Sequence, residues 1–303
     1  MKIITLTLNP AYDVHCHAEN FQPFHENLAR ITSSEVGGKG INISRALTVN
    51  GVENTAVVIV GDENGREFLS GLEKDGIHYK SLTVPGRIRE NFTLHSDGQP
   101  ETRISFAGFS VDDSVMDEVE KFLQDEDLTD AVVTFTGRLP NGLSLTRAKQ
   151  FLRAMQAAGA KIVLDSKSFA KEDVLQVRPW LIKPNEEEIA LYTDRPVTDR
   201  ESAAEAAKKL QAQGVENVMI SLGAQGAVLC CGEGVFFAPA PAVDAISTIG
   251  AGDSTIAGFV AAVSQGNSCA NALQQAVAYG SASCLTPGTE PPCPKDIRKL
   301  LTQ

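Results

Sequence analysis

The chain has 303 residues, of which 43% are hydrophobic and 21% charged, so it is long enough for one large α/β domain or two small ones. Its formal net charge of −11 disfavours non-specific binding of nucleic acid. No stretch reaches the roughly 18 apolar residues of a membrane span. The first apolar run lacks a leader-like cleavage site, and the six cysteines form no C-x-x-C pair. We therefore expect a cytoplasmic protein with reduced thiols that binds neither nucleic acid nor membranes.

Short, β-rich apolar runs alternate with helical patterns along the chain. The runs predicted as strands are 3–8, 56–60, 131–136, 161–165, 180–185 and 217–223. The stretches 114–123 and 145–159 carry apolar residues at three- and four-residue spacing, which predicts helices. Strands that alternate with helices imply an α/β fold with a mainly parallel sheet. Because no repeat or linker divides the chain, we expect a single domain over 1–303.

Two polar, strand-like segments interrupt this alternation, at approximately 10–35 and 87–107. Neither shows helical periodicity, and the second contains Asp97-Gly98, a signal for a hairpin turn. These segments fit a small antiparallel sheet beside the main domain. Long surface loops are the alternative.

Residues 37–43 read GGKGINI, a glycine-rich stretch that leads into a predicted helix. A P-loop requires Ser or Thr directly after its lysine, but Lys39 is followed by Gly40. A dinucleotide-binding loop requires a third glycine where this chain has Ile43. What remains is a turn whose free N–H groups, together with the side chain of Asn42, can bind ligand oxygens. A turn that serves only packing fits equally well.

A second glycine cluster lies in 247–263, STIGAGDSTIAGFVAAV. Gly250, Ala251 and Gly252 precede Asp253, and an apolar helical run follows. Small residues at a helix start leave N–H groups exposed, which suits the charge of a phosphoryl group in transfer. Asp253 at the mouth of such an anion hole can take a proton from a substrate hydroxyl. An N-terminal helix cap is the simpler alternative.

The segments GGKGINISRAL and TIGAGDSTIAGF together resemble the paired signatures of the ribokinase-like (PfkB) sugar kinase family. TLNPAYD, TGRLPNG, LIKPNEEE and ISLGAQGA follow in the family's order, so the resemblance covers nearly the whole chain. It is closest to the phosphosugar branch, which contains 1-phosphofructokinase, tagatose-6-phosphate kinase and the minor 6-phosphofructokinase. The resemblance implies a ribokinase-like α/β fold in which helices flank a mainly parallel central sheet and a small antiparallel β lid is added.

The resemblance also implies which residues form the catalytic and sugar sites. Asp253 is the implied catalytic base, beside an anion hole. The implied anion-hole residues are Gly250, Ala251 and Gly252. The implied sugar ligands are Asp13, Gly37, Gly38, Lys39, Gly40 and Asn42. For Asp13 a simple turn role is the alternative, and Lys39 is as consistent with a solvated side chain.

Arginines are the implied ligands for a phosphate group on the substrate, because guanidinium binds phosphate in a bidentate way. Arg89 matches the arginine that follows the lid strand in phosphosugar members, and Arg87 and Arg103 are nearby alternatives. Arg138 stands where the family usually has serine. It is either a second phosphate ligand or a side chain that points into solvent or pairs with an acidic neighbour.

The nucleotide side of the site is also implied by the resemblance. The implied ATP ligands are Lys183, Asn185, Ser221, Gly223 and Gly226. Glu188 completes an N-x-x-E motif that influences Mg²⁺ through water, although a helix start explains the same residues. Asp165 fits a strand-end cap or a supporting role near the metal equally well. A requirement for potassium stays open.

The expected activity is transfer of the ATP γ-phosphate to fructose 1-phosphate, giving fructose 1,6-bisphosphate. Tagatose 6-phosphate or fructose 6-phosphate is an alternative acceptor, and an unphosphorylated sugar or nucleoside is another. A non-catalytic sensor of sugar phosphates is the alternative outside the enzymes. The family also implies a homodimer that forms through the β lid.

Overall fold

The computed structural model describes residues 1–124, 126–193 and 195–302. Asp125, Asp194 and Gln303 belong to the predicted domain 1–303 but lie outside the described residues. The strands are β1 Ile3–Thr7, β2 Ala11–Ala18, β3 Arg30–Gly37, β4 Thr55–Gly61, β5 Tyr79–Val84, β6 Arg89–Ser96, β7 Thr102–Ser105, β8 Val132–Thr136, β9 Lys161–Asp165, β10 Leu181–Ile182, β11 Asn217–Ser221, β12 Ala227–Cys231 and β13 Gly234–Ala238. The helices are α1 Lys39–Val49, α2 Gly65–Lys74, α3 Val115–Gln124, α4 Leu145–Ala157, α5 Lys171–Val177, α6 Glu186–Ala190, α7 Arg200–Ala212, α8 Ala251–Ser264, α9 Cys269–Ser283 and α10 Pro294–Leu300.

Within the described ranges, nine strands form the central sheet in the order β5-β4-β1-β8-β9-β10-β11-β12-β13. Neighbours from β5 to β11 are parallel, and β12 and β13 add an antiparallel edge. Each predicted strand contributes to this sheet. The run 180–185 supplies only Leu181–Ile182, because Pro184 has no N–H to continue the ladder and Asn185 caps α6. The sequence pattern did not reveal β5, β12 or β13.

Helices cover both faces of the central sheet. Helices α1, α8, α9 and α10 pack through one apolar cluster, and the remaining helices pack through the other. The inner strands are buried on both sides because both faces are covered, and all five residues of β1 are buried. This confirms the predicted α/β fold with its mainly parallel sheet. None of the helices in the described ranges combines the length and apolar character needed to cross a bilayer.

The lid is a separate four-stranded sheet in the described chain, in the order β3-β2-β6-β7. The outer pairs, β2–β3 and β6–β7, are antiparallel, as expected for hairpins. The central pair, β2–β6, is parallel. The reason is topological: β2 follows β1 and β6 follows β5, and both parallel strands leave the main sheet at the same edge. The predicted turn at Asp97-Gly98 joins β6 to β7, with Gly98 at φ 71°.

Candidate active site

The carboxyl edge of the central sheet and the lid enclose a cavity of about 350 Å³. In an open α/β sheet this edge is where ligands bind. The cavity brings together most residues that the sequence predicts for the site. Those that line it are Asp13, Gly38, Lys39, Asn42, Arg89, Lys183, Asn185, Glu188, Gly250, Gly252 and Asp253.

Asp253 lies in the first turn of α8 and is buried, with 6% of its surface exposed. Gly250 caps the helix in the left-handed conformation at φ 79°, which suits glycine. The Asn42 side-chain amide donates to Asp253 Oδ2 at 2.9 Å. Burial raises the pKa of Asp253 to about 6, although the positive charge of Lys39 and the bond from Asn42 oppose the shift. The structure therefore holds a carboxylate that can accept a proton near neutral pH.

The start of α8 also offers donors for an anion. The amides of Gly252 and Asp253 have no backbone acceptor among the described residues, whereas the Ala251 amide donates to the Thr248 carbonyl at 3.3 Å. Lys183 is buried, and its Nζ lies 3.0 Å from the position that a Cβ on Gly252 would occupy. A side chain on residue 252 would therefore displace the ammonium group. No carboxylate of the described residues lies within 4.0 Å of that Nζ, so its charge faces the cavity without an ion pair.

Lys39 is an ion-paired residue rather than a solvated one. Its Nζ donates to Asp165 Oδ2 at 2.9 Å. Burial alone would lower the pKa of Lys39, but the carboxylates of Asp165 and Asp253 outweigh it and raise that pKa. The pair at the end of β9 therefore supports the position of Lys39 beside the Asp253 carboxylate.

On the lid side, Asp13 and Asn91 are partners in the parallel β2–β6 pair. The Asn91 side-chain amide donates to Asp13 Oδ1 at 2.9 Å. Arg89 lies two residues earlier on the same face, where its Nε donates to the Pro10 carbonyl at 3.3 Å. Burial lowers the pKa of Arg89, the charge of Asp13 opposes this, and the nearby Arg138 adds to it. The prediction missed Asn91, although its period-two spacing from Arg89 in a strand was the available signal.

Three residues of the predicted sugar site do not line the cavity. A Cβ on Gly37 would lie 2.5 Å from Asp13 Oδ2, and one on Gly40 would lie 2.4 Å from the Leu6 carbonyl oxygen. These glycines therefore provide the space in which β2, β3 and α1 pack together. Arg138 is exposed on the loop after β8, close enough to influence the charge of Arg89.

A second cavity, of about 730 Å³, adjoins the first and shares Asn185 and Gly252 with it. Ser221, Gly223 and Gly226, predicted for the nucleotide, line it. Its opposite wall is apolar and consists of Ala240, Pro241, Ala242, Val243 and Val277. A volume of this size, apolar at one end and open to the α8 amides at the other, suits a purine nucleotide.

Asn185 and Glu188 form a reciprocal cap at the start of α6. The Glu188 amide donates to Asn185 Oδ1 at 2.8 Å, and the Asn185 amide donates to Glu188 Oε2 at 3.3 Å. The carboxylates of Asp165, Glu188 and Asp253 all line the first cavity. No described cluster of three His, Cys, Asp or Glu side chains is close enough to enclose an ion directly. This donor set fits Mg²⁺ that keeps much of its water shell.

Comparison with known proteins agrees with this geometry. The model of the pfkB family carbohydrate kinases matches residues 9–296 of the chain. The chain belongs to the pfkB family. The 1-phosphofructokinase of Haemophilus influenzae is 32% identical over 283 residues, with 92% of this chain and 90% of the relative covered. The 1-phosphofructokinase of Bacillus subtilis is 32% identical over 293 residues, with 95% of each covered.

A solved structure of phosphofructokinase-2 from Escherichia coli, in complex with potassium, superimposes with a TM-score of 0.91 at 26% identity. The alignment covers 99% of this chain and 98% of that one. Membership of the pfkB family makes the protein a phosphotransferase. The same comparisons confirm the resemblance that the two glycine signatures indicated.

The charges around Asp253 predict opposite effects of two substitutions on its pKa. Lys39→Met removes a positive charge that lowers the pKa of Asp253, so that pKa should rise above about 6. Asp165→Asn removes a negative charge that raises it, so the pKa should fall. Carboxyl ¹³C NMR titration of the free protein measures both shifts. Shifts of the same sign in the two variants would contradict this account of the site.

Proposed function

We propose that the protein is an ATP-dependent sugar-phosphate kinase whose acceptor is fructose 1-phosphate, with fructose 1,6-bisphosphate as product. The observation that carries this proposal is the position of Asp253, which is buried at the α8 start where the two cavities meet. The names of the relatives, 1-phosphofructokinase, support the choice of acceptor. A non-catalytic sensor would not require a proton-accepting carboxylate at this point.

In the proposed reaction the sugar occupies the cavity under the lid, where Asp13 and Asn42 hold its hydroxyls. Asp253 takes the proton of the acceptor hydroxyl as that oxygen attacks the γ-phosphorus and the bond to the ADP oxygen breaks. The free amides of Gly252 and Asp253, together with the ammonium of Lys183, stabilise the charge of the transferred group. The lid covers the sugar and keeps water from taking its place.

The nucleotide in this proposal is ATP, held by Ser221, Gly223 and Gly226 with Asn185 at the junction of the cavities. Mg²⁺ supplies charge neutralisation to the phosphates when bound, and Glu188 and Asp165 would hold its water shell. We include potassium as a second cation, because the related phosphofructokinase-2 has been solved with potassium.

Two arginines support a phosphorylated acceptor. Burial lowers the pKa of Arg89, and the positive charge of the nearby Arg138 lowers it further. Neither forms a salt bridge with the described residues, so a bound phosphate would relieve their mutual repulsion. An unphosphorylated sugar would leave these charges unmatched.

The role of Asp253 is tested by Asp253→Asn, which keeps the size of the side chain and removes its basicity. We expect kcat to fall by at least about 10³-fold, with little change in the binding of ATP and sugar phosphate. A coupled assay for ADP and equilibrium dialysis of both ligands measure the two effects. A variant with near-normal turnover would exclude Asp253 as the base.

The acceptor class is tested with Arg89→Met, which keeps the length of the side chain and removes its charge. We expect KM for fructose 1-phosphate to rise about 100-fold, and that for free fructose to change little. The assay panel is fructose 1-phosphate, fructose 6-phosphate, tagatose 6-phosphate and free sugars.

The matched control is Arg103→Met, since Arg103 is exposed on β7 and pairs with Glu101 at 2.5 Å. Equal losses on free and phosphorylated sugars in Arg89→Met would contradict phosphate recognition. If the wild type showed its highest kcat/KM on another acceptor, the choice of fructose 1-phosphate would be wrong.

We also propose that residues 1–303 act as one domain and that two copies pair through their lids. The face of the lid that points away from the cavity is apolar. Phe92 and Phe106 pack edge-to-face on it with ring centroids 5.6 Å apart. Ile31, Ile104 and Phe106 are 66%, 50% and 53% exposed. Burying such a surface against its own copy would remove it from water.

Ile104→Glu tests the lid dimer, because it places a charge on this exposed apolar face. We expect the mass measured by light scattering to fall from that of a dimer to that of a monomer at micromolar concentration. Arg103 precedes Ile104 on β7 and points to the opposite face, so Arg103→Met should leave the mass unchanged. A monomeric wild type, or an Ile104→Glu variant that stays dimeric, would refute the lid interface.

A further inference from the structure

Glu35 connects the lid to the body of the protein at a point next to the sugar ligand. It lies on β3 directly opposite Asp13 of β2, on the same face of the lid. The Thr289 hydroxyl, in the loop between α9 and α10, donates to Glu35 Oε2 at 3.1 Å. A lid strand is therefore bonded to a loop that is remote in sequence.

The loop that carries Thr289 is fixed to the start of α8. A Cβ on Gly250 would lie 3.8 Å from the Thr289 Cα, so residue 289 packs against the glycine that caps the helix. The Ile246 amide donates to the Cys284 carbonyl at 2.7 Å, and the Ser247 hydroxyl donates to the Gly288 carbonyl at 3.5 Å. The loop and the α8 start therefore form one connected unit.

Thr289 also lines the same cavity as Asp13 and Asp253. His15 follows Asp13 by two residues and lies on the same face of the lid. Its Nε2 atom is 3.8 Å from the position that a Cβ on Gly288 would occupy. Two neighbouring positions of the loop thus face two neighbouring positions of the lid. Other bonds between lid and body include Tyr12 Oη to the Asn64 carbonyl at 2.7 Å and Arg45 Nη2 to the Val36 carbonyl at 2.6 Å.

We propose that Glu35 and Thr289 are positioning residues that align the lid-bound sugar with the anion site of α8. The inference rests on the kinase function proposed above. Asp13 holds the sugar from the lid, whereas Asp253 and the α8 amides belong to the body. Phosphoryl transfer requires the acceptor oxygen to lie about 3 Å from the transferred group, so a small shift of one part against the other slows the reaction. The Glu35–Thr289 bond fixes that relative position.

The test is a double-mutant cycle with Thr289→Val, Glu35→Ala and the double variant. We expect each single change to lower kcat for the sugar phosphate about tenfold, with KM for ATP unchanged. The double variant should lose no more than either single one, because both break the same bond. Glu35→Gln should retain most of the rate, because its amide oxygen still accepts from Thr289. Excess ADP over sugar product should increase in the impaired variants, because a misaligned lid admits water.

Ser34→Ala is the matched control, since Ser34 adjoins Glu35 on β3 but points to the opposite face of the lid. It should leave kcat unchanged. The proposal would be overturned if the single variants kept the wild-type kcat. It would also be overturned if the fold-loss of kcat in the double variant equalled the product of the two single losses. Hydrogen exchange in the ligand-free protein gives a second measurement: amides of β3 should exchange faster in Thr289→Val, and equal exchange would also overturn it.

The two proposals fail in different ways. A wild type inactive on every sugar phosphate would refute the proposed acceptor class. The exchange measurement would still decide whether Thr289 restrains the lid, because it uses no substrate.

Discussion

The site depends on one interaction, the burial of the Asp253 carboxylate at the start of α8, where Asn42 is its one side-chain donor among the described residues. Burial without full compensation keeps this group basic enough to accept a proton. The same arrangement requires α1 and α8 to approach each other closely. One apolar cluster contains residues of both helices, in agreement with this contact.

The positive and negative charges around Asp253 offset one another only in part. Lys39 is paired with Asp165, so it reaches Asp253 only as a partly compensated charge. Lys183 has no ion pair among the described residues and faces the α8 amides. A stronger pairing of Asp253 itself would lower its pKa and remove its basicity. In the proposed reaction the two lysines therefore have different roles, because Lys39 has a carboxylate partner whereas Lys183 is available to bind an anion.

Much of this site could be predicted from the sequence, because glycine clusters at helix starts constrain the backbone strongly. The positions of Asp253 and Asn42 followed from such motifs, whereas Lys183 was implied only by the family resemblance of LIKPNEEE. Gly37 and Gly40 show the limit: both are required, but for packing that depends on Asp13 and Leu6, which only the fold brings near. Local periodicity also does not report how strands pair in the tertiary structure. For this reason the sequence did not predict the parallel β2–β6 pair or the strands β5, β12 and β13.

The parallel pairing of β2 with β6 has a consequence for how the chain folds. Asp13 and Asn91 are 78 positions apart, and the strands that precede them, β1 and β5, belong to the main sheet. Closing a loop of this length is costly in entropy unless the intervening strands have already assembled. The main sheet must therefore act as a template on which the lid forms last.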